Sequence, residues 1–122
     1  MSGESALVIP VEGRVRTVEL DGTLDQLQGI VGGMIQAVPV PEFICPADGA
    51  TAYVNEEGKF DPECAPNMRA TDFLVPGVGL FWGDYVAGPM VVCGFEPQTG
   101  NHGPIPAKVE QRVRLIEKEA GR

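Results

Sequence analysis

Histidine is almost missing from this chain: His102 is the only one in 122 residues. A triad centred on imidazole, or a His-rich metal site, would have to rest on that one side chain, and its neighbours Asn101 and Gly103 predict an exposed turn. Cysteine is sparse as well. Cys45, Cys64 and Cys93 are odd in number and widely spaced, which fits neither a disulfide framework nor a C-x-x-C metal knuckle. They read as free thiols, with Cys93 in the core. Basic residues are outnumbered, nine Lys and Arg against seventeen Asp and Glu, so the formal charge is −8 and the pI near 4.5. A field of that sign repels phosphate backbones and anionic headgroups, and direct nucleic-acid binding is not expected. No apolar run reaches the roughly 18 residues of a spanning helix, and the opening "MSGESALVIPVEGR" has neither a basic leader nor a cleavage pattern. The expectation is a soluble, cytosolic protein with no membrane partner. A G-x-x-x-x-G-K-[ST] loop is also lacking, and "PGVGLFWG" does not sit between a strand and a helix as a phosphate cradle requires, so a nucleotide fold has no support.

What is present is ordinary globular material: 43% hydrophobic and 21% charged residues, enough for one core at this length. Sixteen Gly and eleven Pro punctuate it, which favours short elements joined by defined turns over a helical bundle. Ala6 to Val11 and Arg14 to Leu20 predict a β-hairpin about Glu12-Gly13. Thr23 then predicts an N-cap, with Gln26 at capping-box spacing, for a helix whose Leu24, Leu27, Ile30 and Val31 form an apolar stripe. Gly32-Gly33 ends that helix. "MIQAVPV" and "ATAYVN" predict two further strands, the second with Ala52 and Val54 towards the core. A short helix is expected from Pro66, with Met68, Thr71, Phe73 and Leu74 as its buried contacts. Pro89 to Phe95 predicts a final buried strand, "PQTGNHGPIP" a linker loop, and "AKVEQRVRLIEKEAGR" a helix with an apolar stripe of Val109, Val113 and Ile116 or Leu115. The resulting expectation is an α+β fold: a mostly antiparallel sheet of about four to six strands with one packed helix, a short second helix and a C-terminal helix at the edge. Residues 1–96 form the domain, 97–106 the linker and 107–122 the helix.

Few side chains suggest a site. Glu56, Glu57, Asp61, Glu63 and Asp72 lie close in sequence but without EF-hand spacing, and they read as a solvated acidic turn in which Gly58 takes the conformation that other residues resist. Arg14, Arg16 and Arg69 suggest an anion pocket, against the simpler reading of solvated or salt-bridged surface. Asn55 and Asn67 leave two readings open: each caps its own turn or helix, or Asn55, Asn67, Arg69 and Thr71 converge in a polar pocket with Tyr53 and Trp82 as flat walls. The aromatic cluster of Phe81, Trp82 and Tyr85 is either core or interface anchor, and Val109, Val113 and Ile116 would extend an interface if the last helix paired with a second chain.

The succession "LDQLQGIVGGMIQAV", "AYVNEEGKFDPECAPNMRAT" and "VAGPMVVCGF" resembles a family of small phage and bacterial proteins, domain-of-unknown-function family 3846. Its carriers are the Leu-Gln to Val-Gly-Gly helix end, the Asn55 to Lys59 turn, Asn67 with Ala70 and Thr71, and the closing Gly88-x-x-Val91-Val92 strand. The likeness runs over about residues 5 to 95, leaving "PVPEFICPADG" and the C-terminal helix outside it. It implies an accessory gene of a phage or mobile element, working in the bacterial host cytoplasm. The leading functional expectation is a non-enzymatic protein without a cofactor that binds a host protein in takeover or counter-defence. The alternative is a protein that binds or sequesters a nucleotide-like metabolite, and a homo-oligomer would suit the proposed interface residues.

Overall fold

The computed structural model describes residues 5–21, 23–40, 49–58, 65–74, 85–96 and 101–120. Its elements are β1 (Ser5–Ile9), β2 (Arg16–Glu19), α1 (Leu24–Val31), β3 (Ile35–Pro39), β4 (Ala50–Asn55), β5 (Pro66–Asn67), α2 (Met68–Leu74), β6 (Val86–Ala87), β7 (Met90–Glu96), β8 (Asn101–Gly103) and α3 (Ala107–Ala120). A six-stranded sheet runs β2-β1-β7-β4-β3, with β8 also paired to β7, and β5 and β6 form a separate ribbon. Every described pairing is antiparallel, so the chain has the α+β class expected from its sequence.

The sheet is covered on both faces. Successive side chains of a strand point to opposite sides, and in β1 and β7 both sets are apolar. Leu7, Ile9, Met90 and Val92 join Phe73 and Leu74 of α2 and Val109, Val113 and Ile116 of α3 in the larger core. Ala6, Val8, Val91 and Cys93 face the other way, against Leu27 and Val31 of α1. Burying a side chain such as Phe73 completely contributes about 2 to 3 kcal/mol, so this two-sided core accounts for the continuous apolar run of β7. The polar edge strand β2 is the contrast, with Arg16, Thr17 and Glu19 exposed.

Helix α3 therefore forms a packed layer with α2, where the sequence placed it at the edge behind a linker. Part of that linker is β8, whose register sets Gly103 opposite Gly94 and His102 opposite Phe95. Glycine is required here for approach: a Cβ on Gly94 would lie 2.0 Å from the Pro104 carbonyl oxygen. A composition that reads as a loop thus serves a strand crossing closely over its neighbour.

Capping residues fix the helices. Thr23 accepts from the Gln26 N–H at 3.2 Å, while Gln26 reaches back past Thr23, its Oε1 accepting from the Asp21 N–H at 2.9 Å and its Nε2 donating to the Glu19 carbonyl at 2.8 Å. Thr23 in turn donates its own N–H and hydroxyl to the Asp21 carboxylate. Those bonds hold the Asp21 carboxyl below its ordinary value. At the other end Gly32 adopts φ 88°, the left-handed cap.

Three local expectations are corrected. Helix α2 begins at Met68, because Pro66 and Asn67 pair with β6 and the Asn67 side chain then caps. Leu24 and Met68 are exposed at 54% and 59%, each lying in the first turn of its helix, outside the face turned to the sheet. Gly58 has no left-handed backbone; its side-chain position is closed by the Ala87 carbonyl oxygen, 2.8 Å from where a Cβ would sit.

Candidate functional site

Asn55 and Asn67, the two polar side chains singled out by sequence, are buried and fully engaged by backbone. Asn55 accepts from the Glu57 N–H at 2.8 Å, an Asx turn, and donates to the Val31 carbonyl at 3.3 Å, clasping the end of α1. Asn67 donates to the carbonyls of Ile9 at 2.8 Å and Gly88 at 3.0 Å, and accepts from the Ala70 N–H at 3.0 Å. Thr71 donates to the Asn67 carbonyl at 2.8 Å and accepts from the Val86 N–H at 2.9 Å. Tyr53 meets His102 instead, hydroxyl to Nε2 at 2.9 Å, with the rings edge to face at 5.7 Å. Tyr53, Asn55, Asn67, Arg69 and Thr71 therefore do not converge on one pocket. The two Asn cap separate elements and share no partner.

The proposed interface residues are also placed. Val109, Val113 and Ile116 are buried in the chain's own core, because α3 turns its stripe onto α2 and the sheet. Tyr85 is half-buried just before β6, and Phe81 and Trp82 lie outside the described residues. His102, expected in an exposed turn, is half-buried within β8.

A different set of side chains surrounds open space. Val11, Glu12, Gly13 and Arg14 of the β1–β2 connection, Met68 and Arg69 at the start of α2, and Arg114, Glu117 and Lys118 of α3 line a cleft of about 790 Å³. Local sequence explains each wall. Gly13 turns the connection at φ 88°. Arg114 and Lys118 stand four apart and so share one side of α3. Two long-range bonds pin the connection: Arg69 donates to the Pro10 carbonyl at 2.6 Å, and the Glu117 carboxylate accepts the Val15 N–H. Arg114 bridges Glu110 at 3.7 Å and Glu117 at 3.6 Å.

The electrostatics of this cleft invert those of the chain. The described residues that line it include four basic side chains and two acidic ones, in a protein of net charge −8. Among the described residues Arg14 and Lys118 make no ion pair, and the exposed Met68 thioether lies in the same lining. Sequence had suggested Arg14, Arg16 and Arg69 together; the fold brings Arg14 and Arg69 to the cleft and leaves Arg16 exposed on β2. Arg114, Glu117 and Lys118 carried no such signal, since their spacing fits any solvated helix face. Among the described residues no three His, Cys, Asp or Glu side chains gather as a metal site, and no helix is long and apolar enough to cross a membrane.

An antiparallel sheet between helical layers, with a basic cleft at the end of one layer, defines a small three-layer α+β domain. The chain belongs to the family described as Domain of unknown function (DUF3846), whose model matches residues 3–117. That span takes in β8 and most of α3, beyond the stretch on which the sequence likeness rested. No curated protein and no solved structure is significantly similar to the chain.

Proposed function

We propose that this chain is a non-enzymatic accessory protein of a phage or mobile element, acting in the bacterial host cytoplasm by binding a host protein in takeover or counter-defence. The observation that carries the binding role is the cleft: an open concavity whose charge opposes that of the rest of the molecule, holding two cations that make no ion pair among the described residues. Such complementarity speeds encounter and selects partners. Among the described lining residues the polar side chains are charged ones, Arg14, Arg69, Arg114, Lys118, Glu12 and Glu117, which suits recognition of a charged partner. The alternative, capture of a nucleotide-like metabolite, draws on the cleft volume alone, which falls in the range of small-ligand sites. Among the described lining residues no aromatic ring offers a face on which a base could stack.

The test is affinity capture from host lysate by the wild-type chain and by an Arg14→Glu/Lys118→Glu variant, with mass spectrometry of both proteins and extracted small molecules. A host protein captured by the former and lost with the latter is the expected outcome. Capture that ignores the substitutions, or a small molecule as the only cleft-dependent catch, would sink the proposal.

A further inference from the structure

We infer that the occupant of the cleft is an acidic polypeptide segment in which spaced carboxylates flank an apolar side chain. This rests on reading the cleft as the partner-binding surface and names the chemistry of what enters it. Three observations lead there. First, the two cations that make no ion pair among the described residues come from different elements, Arg14 from the β1–β2 connection and Lys118 from α3. A ligand serving both needs negative charge at more than one place along its length.

Second, one wall of the site already holds a carboxylate of this chain. Glu117 accepts a backbone N–H from Val15 and pairs with Arg114 at 3.6 Å. A carboxylate between a main-chain donor and a guanidinium is thus a stable arrangement on this wall, and charge-assisted bonds of this kind are the stronger ones. Third, Glu12 and Glu117 stand among the four cations, so the surplus of positive charge is modest. A dense polyphosphate would meet both carboxylates at close range as well as the field of a chain at −8. A peptide that spaces its acids can place them beside Arg14 and Lys118 and away from Glu12. Met68, 59% exposed in the lining, gives the intervening apolar side chain a flexible, polarisable surface to cover.

The probe is a short fluorescein-labelled peptide of repeated Glu-Asp-Leu, with a Gln-Asn-Leu version as its neutral control and inorganic pyrophosphate as competitor, read by anisotropy. The acidic peptide is expected to bind the full chain at low salt, to weaken on adding salt, and to lose about tenfold or more in affinity with Arg14→Glu/Lys118→Glu. Met68→Ala is expected to weaken it several-fold without changing the salt dependence. Circular dichroism and the unfolding midpoint of each variant show that the fold is retained. Equal binding of the neutral peptide, binding indifferent to the double substitution, or displacement by pyrophosphate at concentrations below those of the peptide would each overturn the inference. Failure of the acidic peptide to bind, beside cleft-dependent capture of a host protein, would overturn this occupant and leave the broader reading standing; loss of both would remove the two together.

Discussion

The Tyr53 hydroxyl and the Nε2 of His102 lie 2.9 Å apart, so that a side chain of β4 reaches over β7 to one of β8. The contact sits on the α1 side of the sheet, near enough to Cys93 for a charge there to act on Tyr53. It joins the single histidine to a tyrosine whose pKa is pushed up by burial first and by that thiol second.

Removing one partner should show the pair. Tyr53→Phe is expected to cost about 1 kcal/mol in urea unfolding, the net worth of a half-buried hydrogen bond, and His102→Ala a similar amount. The double variant should cost clearly less than their sum. Additive losses would mean that the two rings stabilise the sheet independently.

Asn67 should be the most sensitive polar residue. Asn67→Ala strands the Ile9 and Gly88 carbonyls and the Ala70 N–H in a fully buried place, for an expected loss of about 3 kcal/mol or more. Asn55→Ala, which gives up an Asx turn and one longer bond, should cost about 1 kcal/mol. Equal unfolding midpoints for the two variants would contradict the assignment of Asn67 as the junction of β1, α2 and the β6–β7 turn.

Cys93 offers a test in pH. Burial pushes its thiol up to about 12 from an ordinary 9.0, so the folded chain keeps a proton that the unfolded chain releases. Its share of the stability is intact below the unfolded value and declines as pH rises from there towards the folded one. Cys93→Ser should flatten the alkaline fall in unfolding midpoint between about pH 9 and pH 11, where the unfolded thiol ionises and the buried one does not. In a Cys45→Ser/Cys64→Ser background, iodoacetamide should label Cys93 only as fast as the chain opens; rapid labelling of the native protein would place the thiol at the surface.

Two glycines predict opposite severities. Gly94→Ala puts a methyl against the Pro104 carbonyl with no flexible side chain to yield, and should cost more than about 4 kcal/mol or prevent folding. Gly13→Ala meets nothing within 4 Å and bears only the left-handed backbone, about 1 kcal/mol. Comparable midpoints would refute the close crossing of β8 and its return.

Much of this fold is legible from local pattern. The Thr23 cap, the Gly32 stop and the inward Ala52 and Val54 follow from period and turn chemistry, which short segments carry within themselves. What eluded local reading is long-range. β8 is short and glycine-bearing, so nothing within "GNHG" announces a strand; its partner Gly94 lies on another segment. The cleft is the same case. Arg14 and Lys118 stand at opposite ends of the sequence, and only the docking of α3 makes them neighbours of one space. Asn55 and Asn67 drew notice because Asn marks caps and pockets alike, and the hydrogen bonds decide for caps.

The order β2-β1-β7-β4-β3 has a consequence for how the molecule is made. Ala6 pairs with Cys93, and the strand beside β4 on its inner side is the same β7. On a ribosome, the β1–β2 and β3–β4 hairpins emerge early as two separate ribbons, each with one long apolar edge bare, and neither can join the other until β7 has been threaded between them. The nascent chain therefore leaves two edges unpaired until β7 emerges, and its yield is expected to depend on translation speed and on chaperones.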